Sequence, residues 1–194
     1  LIHDHFGSRG DIKNKLIRVM HYRSFIDDPT RILRAVRYAV RFGFQFEPRT
    51  RAVLKQAIGQ DAFHTITPVR YFGEFKRMLK EKDPCAVLRG LSSMKGLRFF
   101  VYDRCVQAAF KKTIRSDVGG EERWIRLLSA LISPLDQKSA EQLLEGFNIS
   151  RVDKRKVFLL VQARRAGPGV ETVKCRGVQA AGQVEPQRGR IGPR

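Results

Sequence analysis

The sequence predicts a mainly α protein: a helical body preceded by a short mixed α/β segment. Three observations lead there. Apolar residues recur at helical spacing from Asp27 to about residue 165. Gly43, Pro48, Pro68, Pro84 and Pro134 divide that stretch into helix-sized pieces. The only runs that read as brief strands, LIH and LIRVM, lie in the first 21 residues, flanking FGSRGDIKNK, a glycine-bearing turn able to open a short helix. In order, the helices are expected at 29–42, 48–58, 68–82, 84–94, 103–113, 121–132, 137–146 and 151–165. Residues 167–194 are rich in Gly, Pro, Arg and Gln and lack Leu, Phe and Trp. Such a stretch cannot bury enough apolar surface to order itself and is expected to be a disordered tail.

At 194 residues the chain is long enough for a sizeable core, and its 42% hydrophobic and 29% charged residues are ordinary for a globular protein. The sign of the charge is not ordinary. Lys plus Arg number 38 against 19 Asp plus Glu, a formal net charge of +19. That excess attracts polyanions, so nucleic acid or an anionic membrane is the natural partner, and arginines placed at helical spacing favour nucleic acid. No apolar run approaches the roughly 20 residues of a membrane span, and no signal peptide is visible. The three cysteines, Cys85, Cys105 and Cys175, are scattered, which suits a reducing, cytoplasmic setting and gives neither a disulfide framework nor a zinc site. The chain opens on Leu1 in mid-motif, as if cut.

The informative stretch is SFIDDPTRILRAVRYAVRFGF, residues 24–44. Ile32, Leu33, Val36, Ala39 and Val40 fall within a sector of roughly 120° and form a buried stripe. Arg31, Arg34, Arg37 and Arg41 fall within another such sector and point away from it. A solvated polar face is the plain structural reading of those arginines. Against it, no acidic residue lies among them for i, i+4 pairing, and the repulsion is easier to understand if an anion offsets it. Asp28 before Pro29 reads first as a helix cap with proline at the first helical position. A cap uses one carboxylate oxygen and leaves the other free, with Arg31 one turn on. A carboxylate only accepts and a guanidinium only donates. Together they can take the amino group and ring nitrogen of cytosine or adenine, and would meet the carbonyl of uracil or guanine with an acceptor.

This motif resembles the nucleotide-selecting segment of class II CCA-adding enzymes and bacterial poly(A) polymerases, which usually reads Glu-Asp-x-x-Arg with further arginines at steps of three. The resemblance implies that Asp28 and Arg31 pair with the incoming base and that Arg34 and Arg37 contact the nucleotide, with Asp27 standing where Glu is usual. Upstream, IHDHFGSRGDIKNKLIRV resembles the segment that closes the family's head domain, matching at Asp4, Phe6, Gly7, Asp11 and Arg18 and departing at His5 and Ser8. Downstream, ITPVRYFGEFKRML resembles the helix that braces the neck, where Arg70 and Glu74 would hold the neck arginines in place.

The match covers residues 1–95 closely and 96–165 loosely. It implies a remnant of an α/β nucleotidyltransferase head over 1–23, a nucleotide-selecting neck over 24–95, a helical body over 96–166 and the tail over 167–194. The implied activity is addition of CMP or AMP from CTP or ATP to an RNA 3′ end, tRNA above all. Magnesium would be held by head carboxylates N-terminal to this segment, so the chain alone is expected to be inactive and to carry no metal. The first helical turn uses Asp27 and Asp28, and His3, Asp4 and His5 fall in a structural turn. Trp124, Phe99, Phe100 and Tyr102 are expected in the core. The competing reading is a stand-alone helical RNA-binding module without catalysis.

Overall fold

A computed structural model describes residues 3–116, 119–120 and 122–166. The expected disordered tail over 167–194 lies outside the described residues, as do Leu1 and Ile2 of the first expected strand, while His3 lies outside any strand. The fold is mainly α. Helix α1 (Ser8–Lys13) precedes a two-residue strand β1 (Leu16–Ile17), a single turn α2 (Ser24–Asp27) and the long α3 (Thr30–Phe42). A second short strand β2 (Gln45–Phe46) follows, then α4 (Pro48–Gly59) and a 3-10 turn (Ala62–Thr65). The rest is helical: α5 (Pro68–Leu79), α6 (Pro84–Ser93), α7 (Arg104–Arg115), α8 (Arg123–Ile132), α9 (Gln137–Gly146) and α10 (Arg151–Ala166).

Local chemistry sets these boundaries. Glu47, Thr67 and Asp83 each accept a backbone N–H at the start of a helix that has proline in its first turn. Asp103 and Asp136 cap α7 and α9 in the same way. Asp4 serves α1 from outside: its two carboxylate oxygens accept from the Ser8 and Arg9 amides at 2.7 and 2.9 Å. At the other end of α3, Gly43 takes a left-handed conformation (φ 65°). The Phe44 amide then reaches back to the Ala39 carbonyl at 2.9 Å. That turn aims β2 at β1, and the two pair in parallel with Leu16 opposite Gln45.

The core is one continuous cluster from Phe25 to Val161. Helix α3 is its spine on one side, where Ile32 and Leu33 are fully buried and Val36 nearly so. Helix α3 packs on α5 and on α6, close enough that a Cβ on Gly90 would stand 3.4 Å from Val36. Helix α8 packs against α7, α10 and α5. Aromatic rings tie the two sides together: Phe72 stacks on Phe147 at 4.5 Å and Phe75 on Phe100 at 4.4 Å. Trp124, Phe100 and Tyr102 are buried. No helix among the described residues is long and apolar enough to cross a membrane.

Two expectations about α3 need correction. Ala39 and Val40 are only half-buried, and Ala35 joins the buried set in their place. Arg37, expected to face outward with the other arginines, is 6% exposed. It stands only about 40° from Leu33 around the helix, at the seam between the faces, where α5 closes over it.

Candidate functional site

Asp28 sits between α2 and α3 in an extended conformation (φ −144°, ψ 93°). Its backbone carbonyl accepts from the Arg31 amide at 3.0 Å, so Asp28 works as the cap of α3 and Pro29, in helical conformation, as its first residue. Oδ1 carries the structural duties. It accepts from the Thr30 amide (3.2 Å), the Thr30 hydroxyl (2.6 Å) and Arg70 Nη2 (3.1 Å). Oδ2 makes no hydrogen bond among the described residues and lies 3.9 Å from Arg31 Nε. Burial alone would raise the Asp28 carboxyl. The hydrogen bonds from Thr30 and the charges of Arg70 and Arg31 outweigh it and hold the group below the usual carboxylate range.

Arg31 is tethered, not free. Its Nη1 donates to the Ser24 carbonyl of α2 at 3.3 Å, which turns the guanidinium toward the Asp28 side of the helix. The side chains remain 24% exposed for Asp28 and 44% for Arg31. The structure thus brings Asp28, Arg31 and Arg70 together at an open edge, with one free acceptor oxygen beside a planar donor. Asp27 is not part of this group: it turns to the surface and pairs with Arg23 at 3.2 Å.

Further along α3, Arg34 is exposed and has no acidic partner among the described residues. Arg37 and, more weakly, Arg34 hold the Tyr38 hydroxyl below its usual pKa. Arg37 donates from Nη1 to Glu81 Oε1 at 3.1 Å, and its Nη2 lies 3.8 Å from Glu74 Oε2. Glu74 turns its other oxygen to Arg77 at 2.5 Å. Glu81, 7% exposed, also accepts from Arg41 Nε (2.9 Å) and Nη2 (2.5 Å), while its backbone carbonyl accepts from Arg123 at 2.9 Å. The arginines of α3 are therefore not without counter-charge: the acids come from α5 and the turn after it. Glu81 escaped the sequence reading. It lies 44 residues from Arg37, inside the run Lys80-Glu81-Lys82-Asp83, which looks like an ordinary solvated stretch.

Upstream, Asp11 accepts from Arg18 Nε with both oxygens at 3.0 Å, and Asp4 is occupied by α1. Both are structural. Among the described residues no group of three or more His, Cys, Asp or Glu could hold a metal ion, so no step through a metal follows from these residues.

Known proteins resemble the chain in sequence and in fold. No family model matches the chain. It is 31% identical over 125 residues to an A-adding tRNA nucleotidyltransferase of Geobacter sulfurreducens, covering 64% of this chain and 14% of that protein. It is 40% identical over 93 residues to an A-adding tRNA nucleotidyltransferase of Halalkalibacterium halodurans, covering 47% of this chain and 22% of that protein. Among solved structures, a CCA-adding enzyme in complex with ATP superposes with a TM-score of 0.71 at 27% identity, covering 84% of this chain and 41% of that one. The Thermotoga maritima CCA-adding enzyme complexed with tRNA gives the same TM-score and identity, with 84% and 42% covered. The chain thus spans less than a quarter of the length of these two curated relatives. By sequence and by fold, the chain is similar to part of the length of A-adding and CCA-adding tRNA nucleotidyltransferases.

Proposed function

We propose that this chain supplies base selection and RNA binding to an enzyme that adds CMP, AMP or both to RNA 3′ ends, tRNA foremost, from CTP and ATP. The observation that carries the reading is the division of labour in the Asp28 carboxylate. Oδ1 is consumed by Thr30 and Arg70, while Oδ2 faces the open edge beside Arg31. In this reading Oδ2 accepts from the exocyclic amino group of cytosine or adenine, and the Arg31 guanidinium donates to the neighbouring ring nitrogen. Uracil and guanine present a carbonyl there, so a lone pair would face a lone pair. Arg70 fixes Oδ1 from α5 and keeps Oδ2 aimed outward. Exposed Arg34 contacts the nucleotide. Arg37, buried and paired, stiffens the arginine face together with Glu74 and Glu81 instead of touching the ligand.

Residues 1–23 would close the catalytic head, 24–95 would form the selecting neck and 96–166 the body. Along α7, exposed Lys111, Lys112 and Arg115 offer the body a basic row for phosphates, which positions RNA without reading its sequence. The magnesium ions of nucleotidyl transfer would be held by carboxylates outside the described residues. An enzyme of this kind would work on RNA in the cytoplasm, which suits the free Cys85 and Cys105.

Single-nucleotide incorporation by the full-length enzyme, with each of the four nucleoside triphosphates, tests the reading. Asp28→Asn keeps an equally good cap but adds an amide donor. It should retain the thermal melt while losing discrimination against UTP and GTP. Arg31→Lys should lose rate with CTP and ATP, because an ammonium cannot reproduce the planar fork. Unchanged nucleotide preference in both variants would leave Asp28 as a helix cap and sink the base-reading role.

A further inference from the structure

Helix α3 presents more than arginines. At 100° per residue, Arg31, Tyr38 and Phe42 fall within about 40° of one another, with Arg34 and Arg41 within about 80° on one flank. This is a single strip running away from Asp28, exposed at Arg31 and Phe42 and half-buried at Tyr38. Phe42 closes it with its ring 55% exposed, although the same helix buries Ile32 and Leu33 completely. The Tyr38 and Phe42 rings lie 5.9 Å apart and 24° from parallel. Beyond the Gly43 turn, Phe44 extends the row, 5.7 Å from Phe42.

The Tyr38 end of the row is held in place. The Arg37 guanidinium sits 4.4 Å from the Tyr38 ring centre and that of Arg41 5.8 Å from it, and both arginines are anchored on Glu81. A ring fixed in this way, as Tyr38 is, loses little freedom when a ligand stacks on it. The flank carries positive charge: Arg34 has no acidic partner among the described residues, and Arg41 retains 45% of its side-chain surface in solvent. An apolar protein partner would cover Phe42 but leave these guanidiniums desolvated. An unpaired nucleic-acid strand satisfies both, since bases stack on rings while phosphates meet arginines. The +19 charge of the chain favours the same polyanion.

We infer that Tyr38, Phe42 and Phe44, flanked by Arg34 and Arg41, form a stacking platform for unpaired nucleotides of the RNA strand. The inference rests on the RNA-binding reading above and extends it. Asp28 and Arg31 judge an incoming base, the rings of Tyr38 and Phe42, roughly 15 to 20 Å from Asp28 along α3, hold bases already in the strand, and Arg34 between them meets phosphates of both.

The test uses the full 194-residue chain. Fluorescence anisotropy compares a short unpaired oligoribonucleotide of C and A with the same backbone made abasic. Phe42→Ala and Phe42→Leu should each weaken binding to the intact strand on the order of tenfold, and Phe42→Trp should preserve it. None of the three should alter binding to the abasic strand. Arg34→Ala should weaken both strands and reduce the salt slope by about 0.7. Phe42 is half in solvent, so all the variants should keep the wild-type melt. The platform is overturned if Phe42→Ala binds the intact strand as tightly as wild type, loses equally on the abasic strand, or is matched by a fully active Phe42→Leu. Sedimentation showing that Phe42→Ala abolishes a self-associated form would also overturn it, by assigning the ring to a second copy. If salt-sensitive RNA binding persists while Phe42 proves irrelevant, only the platform falls. If wild type binds no RNA, the functional reading falls with it.

Discussion

One carboxylate, Glu81, governs the charge balance behind α3. It is buried, it receives Arg37 and Arg41, and without it Arg37 would be a buried cation facing only Glu74 at 3.8 Å. Removing one partner of a buried pair costs about 3 to 5 kcal/mol. Because Arg41 is 45% exposed and screened by solvent, a loss at or just below the lower end of that range is expected for Glu81→Gln, about 2 to 3 kcal/mol in a denaturant titration at neutral pH. Burial alone would raise the Glu81 carboxyl, but Arg41 and Arg37 outweigh it and the group ends below its usual value. A depressed folded pKa means that the stabilisation is fully present above the unfolded value of about 4.3 and is lost as pH falls through the folded value. The gap between wild type and Glu81→Gln should therefore narrow as melts are taken from neutral pH down toward pH 3. A constant gap would show that packing, not charge, explains the loss. The closeness of Asp28 and Arg31 was legible in the sequence because a Pro-led cap and one-turn spacing are local signals, whereas Arg70, 42 residues away, was reached only through the family resemblance. Glu81 was not, because a pairing 44 residues apart leaves no local trace. The burial of Arg37 was missed for a different reason: a residue at the seam of two helix faces is assigned by its neighbours, not by its own periodicity.

Helix α3 joins those residues into one rigid face, and its two ends and its inner stripe each contribute. At the C-terminal end, Gly43 holds φ 65° with nothing near its missing Cβ. Gly43→Ala should thus cost about 1 kcal/mol from backbone strain alone, without a packing clash. In the stripe, Leu33 is fully buried, and Leu33→Ala should cost about 2 to 5 kcal/mol. Thermal or denaturant melts of the two variants separate the end from the stripe, and equal losses would contradict this division. The long elements were readable from sequence because caps and prolines coincide with changes of periodicity. Glu47-Pro48, Thr67-Pro68 and Asp83-Pro84 mark the starts of α4, α5 and α6. The short elements were not. Strand β2 is two residues long and exists only because β1, some thirty residues earlier, pairs with it. The turn α2 and the 3-10 turn at Ala62–Thr65 are too brief for a periodic signal.

At the scale of the whole molecule, at least eight of the 19 acids have structural tasks. Asp4, Asp28, Glu47, Asp83, Asp103 and Asp136 accept helix-start amides, and Glu74 and Glu81 pair with arginines behind α3. Each of these carboxylates is committed to a structural task, while the chain carries a formal excess of +19. Arg34 on α3 and Lys111, Lys112 and Arg115 on α7 are exposed cations, on separate helices of one continuous core. Two basic surfaces on a rigid body can engage one RNA at several phosphates. Each neutralised phosphate of a single strand contributes about −0.7 to the slope of log affinity against log salt. Titration of the chain with tRNA or a single strand, from about 50 to 200 mM salt, should therefore give a slope of several units. Alanine at Lys111, Lys112 and Arg115 together should flatten it by about 2, while leaving the core and the thermal melt unchanged. A specific pocket that recognised only the terminal base would bind with almost no salt dependence. Salt-insensitive binding, or an unaltered slope in the triple variant, would show that the outward charge serves no polyanion at these positions.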